Sequence, residues 1–597
     1  MFSLLEQLVQ LARERGREVW LVGGFVRDLL LGRAGRDVDA AVSGRGAELA
    51  RELAARTGGA FVPLDAAHDV SRVVCKTGEG VRQLDITGLG EAALRADLCR
   101  RDFTVNAMAL PLAVCMRLPG MKAVLAGADA AGPGAVSAGD LPAADLLIDP
   151  LGGLADLRRG LIRACGPRSI ADDPLRALRA ARFAGRFGWR IEADTARSIR
   201  TASLAGVAAE RMQEELVLIL MLPHAHRVMR MLDEELGVLE QLFPEIAPMR
   251  RMEQNGHHVD NVWEHCLKTL QCFEALLRES CGPDGSPGRG WNDFDAGSGE
   301  AGSGVPQISV REGNPAGTLR PGAPEDPGRF EPGRCGGLRG GRPEQTAHSA
   351  GAAPGPPARG EMGAGGKPFP PPGLTLPPAA AAPLAAYLEA PFTRARSRLP
   401  VLKLACLFHD VGKLTTRAMA ADGRFTFYGH HTAGAPVAAS VARRLRLSRR
   451  EEELLAALVR GHMDPLFLYK SRPVSGRAAY RFFRRLGDEV PGCLLLSLAD
   501  IASSRLAAGA AAEAADYRDF IAGMLARYFK EPALSGRTRP LLDGREICRL
   551  LGIPPSPSVG RLLEELAAAR AAGEVRNRQE AAEWLRIRHG WGRPGQE

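Results

Sequence analysis

Residues 19–40 read VWLVGGFVRDLLLGRAGRDVDA. Four apolar residues run into Gly23-Gly24, and apolar residues at helical spacing start at Phe25, so the pattern predicts a strand, a glycine turn and a helix. Glycine at such a junction lets the backbone approach a ligand closely. The helix start adds unpaired N–H groups and a positive dipole end, which suits a phosphate. Arg27, one turn inside, adds a fixed charge. Asp37 and Asp39 follow, and residues i and i+2 of a strand share a face. Two adjacent carboxylates repel unless a cation lies between them. Hard oxygen donors favour Mg²⁺, which keeps waters and borrows substrate phosphate oxygens. A phosphate cradle followed by a two-carboxylate cation site points to nucleotidyl transfer.

The rest of the chain is consistent with a large multidomain protein. At 597 residues it is long enough for roughly three to five domains. A formal charge of +9 suits a polyanionic partner. No run approaches the ~20 apolar residues of a membrane span. The first residues, MFSLLEQLVQLARERGREVW, read as an amphipathic helix rather than a signal peptide. Eleven cysteines lie singly between Cys75 and Cys548. Such scattered thiols fit a reduced, cytoplasmic location and no membrane partner.

The expected fold class is α+β. Residues 1–160 form a sheet-and-helix nucleotidyltransferase head, with strands at VWLVGG, DVDAAV and RQLDITGL. Residues 161–255 form a helical neck. Residues 256–280 and 380–530 form a second helical domain, interrupted by 281–379, where Gly and Pro dominate and order is not expected. Residues 535–597 form a helical tail. A shorter Gly/Ala-rich insert spans 117–144.

Further blocks follow in order: Arg100-Arg101-Asp102-Phe103-Thr104-Val105-Asn106-Ala107-Met108, then Asp149-Pro150-Leu151-Gly152-Gly153, then Asp172-Asp173-Pro174-Leu175-Arg176, then Arg211 through Glu215. With LVGGFVRD and DVD they resemble the class II tRNA nucleotidyltransferase and bacterial poly(A) polymerase family. The first acid of the fourth block is Asp172, where the family usually has Glu. The resemblance implies Mg²⁺ at Asp37 and Asp39, and phosphate contacts from Gly23, Gly24 and Arg27. It implies ribose contacts from Arg101, Asp102 and Asn106, base reading by Asp173 and Arg176, and a hinge at the third block. Arg211 and Glu215 are then a pair that supports the base-reading helix. Phe103 and Met108 read as core.

Asp173 and Arg176 are three apart, neighbours on a helix face. Arg offers forked donors and Asp offers acceptors. The Watson–Crick edges of C and A accept at a ring nitrogen and donate from an amine, so an Asp–Arg pair complements both. G and U present a ring N–H instead. A protein surface can therefore select C or A without a nucleic-acid template. Asp173 before Pro174 also reads as a helix N-cap. Arg211 and Glu215, four apart, also read as a helix ion pair.

Within the family, the basic signature of the poly(A) polymerases is missing from RTGGAFVPLDAAHDVSRVV, which favours tRNA over poly(A) synthesis. CTP and ATP are then the expected substrates. Enzymes that add A carry a flexible loop before the second block. Here fourteen residues, ITGLGEAALRADLC, separate Asp85 from Arg100, and most of them read as helix. The shortening resembles CC-adding enzymes, which rely on a separate A-adding enzyme. Full CCA addition and CC addition both stay open. A poly(A) polymerase and a non-catalytic RNA-binding protein are the remaining alternatives.

A second constellation lies downstream. His265 occurs in NVWEHCLKTL, His409-Asp410 in LACLFHDVGK, His430 and His431 in FTFYGHHTAG, His462 in VRGHMDP and Asp500 in LSLADIASS. Imidazoles with carboxylates suit Mn, Fe, Co or Ni. The order H…HD…H…H…D resembles the HD metal-dependent phosphohydrolases. Ligands are expected at His265, His409, Asp410, His430, His462 and Asp500. His257, His258 and His431 read as surface or capping residues. The resemblance implies hydrolysis of phosphate ends and 2′,3′-cyclic phosphates, a 3′-end repair activity. The tail resembles the C-terminal segment of bacterial CCA-adding enzymes, with contact to the tRNA elbow as its implied role.

Overall fold

A computed structural model describes residues 1–33, 38–77, 80–90, 94–118, 121–126, 146–254, 260–281, 374–393, 396–531, 534 and 539–588. Asp37, His257, His258 and most of both Gly-rich inserts lie outside these residues.

The head is built on a six-stranded sheet of β1 (Val19–Val22), β2 (Val38–Val42), β3 (Ala60–Asp65), β4 (Val70–Thr77), β5 (Gly80–Gly88) and β6 (Ala109–Pro111), in the order β3-β4-β5-β2-β1-β6. Neighbours run antiparallel except β2 and β5, which are parallel. Both faces are covered, which is why β1 reads as a continuous apolar run rather than an alternating one. One face carries Leu21, Val38, Ala40, Val42, Leu84 and Ile86 into the main core. The other buries Val22 and Ala41 against Leu98, Ala107 and Ala109. Asp39 alternates with Val38 and Ala40, so it falls on this second, smaller face.

The neck is helical. Arg176–Phe187 and Ala209–Leu220 are its main helices, each 12 residues long. Beyond it, helices Val262–Cys281, Leu399–Phe408, His430–Arg444, Arg449–Gly461 and Val490–Ala507 pack together. Composition assigned 374–379 to the insert, but Leu374 and Leu376 are core side chains and a helix starts at Pro378. Two leucines inside a proline-rich run bury enough apolar surface to order those residues. The tail helices Gly544–Leu551, Pro557–Ala571 and Arg578–Arg588 have a small core of their own. Among the described residues no helix is long and apolar enough to cross a membrane.

Candidate active sites

β1 ends at Val22, which pairs with Asp39 of β2. The chain then turns at Gly23, whose φ is +72°, a left-handed conformation that favours glycine. A Cβ on Gly23 would come within 2.7 Å of Arg101 Nη1 and 3.4 Å of Asp39 Oδ2. The glycine turn, the Asp39 carboxylate and the Arg101 guanidinium therefore meet at one point. Arg101 is steadied there by Asp97, whose Oδ2 accepts from Nε at 3.2 Å and Nη2 at 3.1 Å.

Asp39 also pairs in register with Asp85 of β5, which in turn pairs with Arg72 of β4. Arg72 donates to both Asp85 oxygens at 2.7 and 2.8 Å. Sequence reasoning used Asp85 only to measure a spacer. The signal available was the strand RQLDITG, whose parallel pairing with DVDAAV sets the two acids side by side.

The sequence reading places Arg27 at the phosphates and Asp102 and Asn106 at the ribose; in the structure Arg27 lies directly behind Gly24, where an added Cβ would come within 3.5 Å of its Nη2. All three are buried and bond to one another. Arg27 Nη1 donates to Asn106 Oδ1 at 2.7 Å, and Asn106 Nδ2 donates to Asp102 Oδ1 at 3.1 Å. Arg27 Nε also donates to Asp28 at 2.8 Å. Its guanidinium stands 5.1 Å from the Phe183 ring and 4.9 Å from that of Phe187. The chain continues through Arg179, 3.0 Å from Asp102 Oδ2 and 3.7 Å from Glu215. Arg182 Nε closes it, donating to Glu215 at 2.6 Å. Burial disfavours charge on Asp102, yet Arg179 together with the Asn106 and Phe103 N–H donors holds its pKa below the usual carboxylate value. A largely buried network of acidic, basic and amide side chains of this kind joins the β-sheet segment to the helices Arg176–Phe187 and Ala209–Leu220. Phe103 and Met108 are core, as their apolar character implied.

Asp173 lies just before the Arg176–Phe187 helix rather than on it, so it shares no helix face with Arg176. Its side chain caps nothing. Arg211 instead donates to both its oxygens, at 3.2 and 2.8 Å. The Arg211–Glu215 helix pair is therefore not formed: Arg211 takes Asp173, and Glu215 takes Arg182. Arg176 is anchored by Ser169, whose Oγ and carbonyl accept from Nη1 at 2.7 and 3.1 Å, and by the Arg100 carbonyl at 3.1 Å. In the third block, Asp149 accepts from the N–H groups of Gly153 and Leu154 at 2.7 and 2.9 Å, fixing the start of the helix Gly153–Arg159.

The second constellation comes together completely. His265 Nε2 lies 3.2 Å from His409 Nε2, 3.0 Å from Asp500 Oδ1 and 3.4 Å from Asp410 Oδ2. His430 Nε2 lies 3.2 Å from both His462 Nε2 and Asp410 Oδ1. All six side chains are buried. The Nδ1 atoms of His409, His430 and His462 donate to the carbonyls of Cys406, Phe427 and Val459 at 3.0, 2.9 and 2.7 Å. A proton on Nδ1 leaves the Nε2 lone pair facing inward, the form a metal ligand needs. Two sets, His265/His409/Asp500 and His409/Asp410/His462, have ligand atoms close enough for one ion. Burial and the neighbouring imidazoles push His462 down to about 3, so its ring is neutral. Burial opposes charge on Asp410, but Lys413, 2.7 Å away, and His409 hold it ionised. The donor set fits a divalent transition metal. His431 borders the cluster, with its ring 5.6 Å from that of His430 and 6.4 Å from that of His462, and packs against Phe467 at 6.2 Å.

Three family matches follow in chain order: the poly A polymerase head domain over 19–89, the probable RNA and SrmB-binding site of polymerase A over 188–250, and the HD domain over 381–503. An A-adding tRNA nucleotidyltransferase of Deinococcus radiodurans is 29% identical over 94% of this chain and 93% of its own. A CC-adding tRNA nucleotidyltransferase of Thermus thermophilus is also 29% identical, over 95% of this chain and 93% of its own. A CCA-adding enzyme of Thermotoga maritima, solved in complex with tRNA, superposes with a TM-score of 0.51 at 18% identity, covering 98% of this chain and 95% of that one, and so shares the fold. Nucleotidyltransferase heads and HD domains are in general metal-dependent. With head, RNA-binding and HD segments in this order, and relatives aligned over nearly all of it, the chain is similar throughout to tRNA nucleotidyltransferases and carries the head, RNA-binding and HD segments of the poly(A) polymerase type.

Proposed function

We propose that this protein extends the 3′ end of tRNA without a template, using CTP and ATP and releasing pyrophosphate. The observation that carries this reading is the meeting of Asp39, the Gly23 turn and Arg101 at the end of β1. The 3′-oxygen of the RNA attacks the α-phosphorus, a P–O bond forms, and the α–β bond breaks to release pyrophosphate. Asp37 and Asp39 would hold magnesium, which supplies charge neutralisation for the triphosphate and acidifies the attacking hydroxyl. The chain's own parts do the positioning. The Gly23-Gly24 turn lets phosphate oxygens approach the backbone, and Arg101 brings positive charge to the same spot. Arg27, fixed behind Gly24, adds a buried positive charge that a phosphate can feel through the turn. Asp173, oriented by Arg211, and Arg176, oriented by Ser169, present acceptors and donors to the base.

A C-only reading has one specific observation behind it. The spacer before Arg100 contains the helix Leu94–Cys99, with Leu98 buried under the sheet. That anchor leaves little chain to reshape the pocket from C to A. The two whole-length relatives are equally distant, so the C-only reading rests on this local geometry. A separate A-adding enzyme would then complete the end.

The HD residues would bind Mn, Ni, Co or Fe and hydrolyse phosphate ends or 2′,3′-cyclic phosphates, preparing a damaged terminus. Nine free cysteines among the described residues suit a cytoplasmic setting. The deciding experiment offers the purified protein a tRNA lacking its CCA end, with labelled CTP and ATP separately and together. C incorporation by the wild type, lost in Asp39→Ala with tRNA binding retained, is expected. Absence of any incorporation by the wild type overturns the reading. Terminal A on the product rejects the C-only form.

A further inference from the structure

The helix Ala209–Leu220 has two working faces. Residues four apart lie on one side of a helix, and a residue midway between them points nearly opposite. Arg211 and Glu215 face the neck, where they hold Asp173 and Arg182. Gln213 points the other way, into the HD domain. Its Nε2 donates to the Arg446 carbonyl at 2.6 Å, and its Oε1 accepts from Arg396 Nη2 at 3.0 Å. Gln213 is buried, and both partners fall inside the segment matched as HD domain.

The partner segment is itself well fixed. Arg446 follows the helix His430–Arg444, whose first residue is one of the converging imidazoles. Its φ of +55° is rare for a residue with a side chain. Two ion pairs flank the contact: Arg444 with Glu245 at 2.8 Å and Arg446 with Glu210 at 3.7 Å. An apolar side chain would fill the same space. A buried amide satisfied at both ends instead specifies one relative placement of the two elements.

We infer that Gln213 is a positioning residue for nucleotide selection: by clamping its helix to the HD domain, it sets where Arg211 holds Asp173. The inference rests on the base-reading role proposed for Asp173. A test on the full chain compares Gln213→Met, which keeps the length and removes both hydrogen bonds, with Gln213→Glu, which keeps the acceptor for Arg396. Arg396→Met removes one bond from the far side. KM and kcat for CTP, and discrimination of CTP against UTP, are measured on tRNA lacking its CCA end.

Gln213→Met is expected to raise KM for CTP and lower discrimination, each on the order of ten-fold, with kcat little changed. Gln213→Glu should fall between it and the wild type. Arg396→Met should shift the same quantities, and the double variant should add nothing further. A folded Gln213→Met with wild-type KM and discrimination overturns the inference, and so does one that only melts earlier. If Gln213→Met fails to fold, Gln213→Glu and Arg396→Met decide by the same quantities. A wild type that incorporates no nucleotide rejects the proposed function itself, a result distinct from an active enzyme indifferent to Gln213.

Discussion

Arg211 grips both oxygens of Asp173 from 38 residues away, at 3.2 and 2.8 Å, although Arg176 is the nearer arginine in sequence. The acid that would read the base is thus aimed from another helix. A hydrogen bond to a charged group contributes about 1.5–3 kcal/mol. Arg211→Ala is therefore expected to lower kcat/KM for CTP by roughly 10- to 100-fold. Arg211 is half exposed, so the melting temperature should move little. Steady-state kinetics with calorimetry separates the two, and wild-type kcat/KM would show that Asp173 needs no such aim.

At the glycine turn, Gly23→Ala meets two obstacles. The residue has φ +72°, and the added methyl would lie 2.7 Å from Arg101 Nη1. Backbone strain of this kind costs about 1–3 kcal/mol, and the arginine must also leave its place. The expected outcome is a folded protein, by circular dichroism, with nucleotide incorporation reduced at least ten-fold. Retained incorporation would mean that the turn tolerates a side chain.

Much of this was legible beforehand because local chemistry carried it. The strand, glycine turn and helix follow from a short apolar run and two glycines. The six converging HD residues could be chosen because their order, H…HD…H…H…D, resembles that of the HD phosphohydrolases and His409-Asp410 lies between apolar flanks. What escaped was pairing between distant segments. Arg27, Asp102 and Asn106 looked like ligand-facing polar residues, and only packing of the Arg176–Phe187 helix against the head turns them inward. Arg211 and Glu215 looked like each other's partners, because helix spacing is visible in sequence and the position of Asp173 is not. Asp85 was missed because strand order, β5 beside β2, is a tertiary fact.

Asp102 makes the fold's acid limit testable. Its pKa is depressed in the folded state, so its contribution is complete above the unfolded value near 3.8 and is lost as pH falls through the lower folded value. Asp102→Asn is expected to be clearly less stable than wild type from pH 7 down to about pH 5. The difference should shrink as pH falls below the unfolded value. Urea titrations across that range measure it, and a pH-independent difference would show that the carboxylate's charge is not what matters.

The HD centre predicts a metal effect on stability. Ligand binding to the folded state adds about 2.7 kcal/mol at roughly a hundredfold excess over Kd. Chelation should therefore lower the unfolding temperature of the wild type and leave that of His409→Ala unchanged. Elemental analysis should find transition metal in the wild type and not in the variant. Equal metal content in both would remove His409 from the ligand set, whatever the catalytic result.

The junction of neck and HD domain holds the strongest stability prediction. Lys403 is buried and donates to the Leu222 carbonyl at 2.6 Å and to Glu274 at 2.7 Å. Glu274 also accepts from the Ala225 N–H at 2.8 Å and lies 2.5 Å from His226 Nδ1. Burial alone would raise the Glu274 pKa, but Lys403 and His226 hold it below its usual value. Lys403→Met leaves that buried carboxylate with only His226 and the Ala225 N–H, and removing one partner of a buried pair costs about 3–5 kcal/mol. Adding Glu274→Gln removes the under-compensated buried charge, so the double variant should recover part of the loss. Denaturant unfolding of wild type, single and double variants gives the coupling directly. A single variant as stable as wild type, or a double variant worse than the sum of the two singles, would show that the pair does not act as one unit. Of the helices involved, Val262–Cys281 carries His265 and Leu399–Phe408 ends directly at His409. Lys403→Met should therefore loosen the metal centre as well, lowering the metal retained after dialysis.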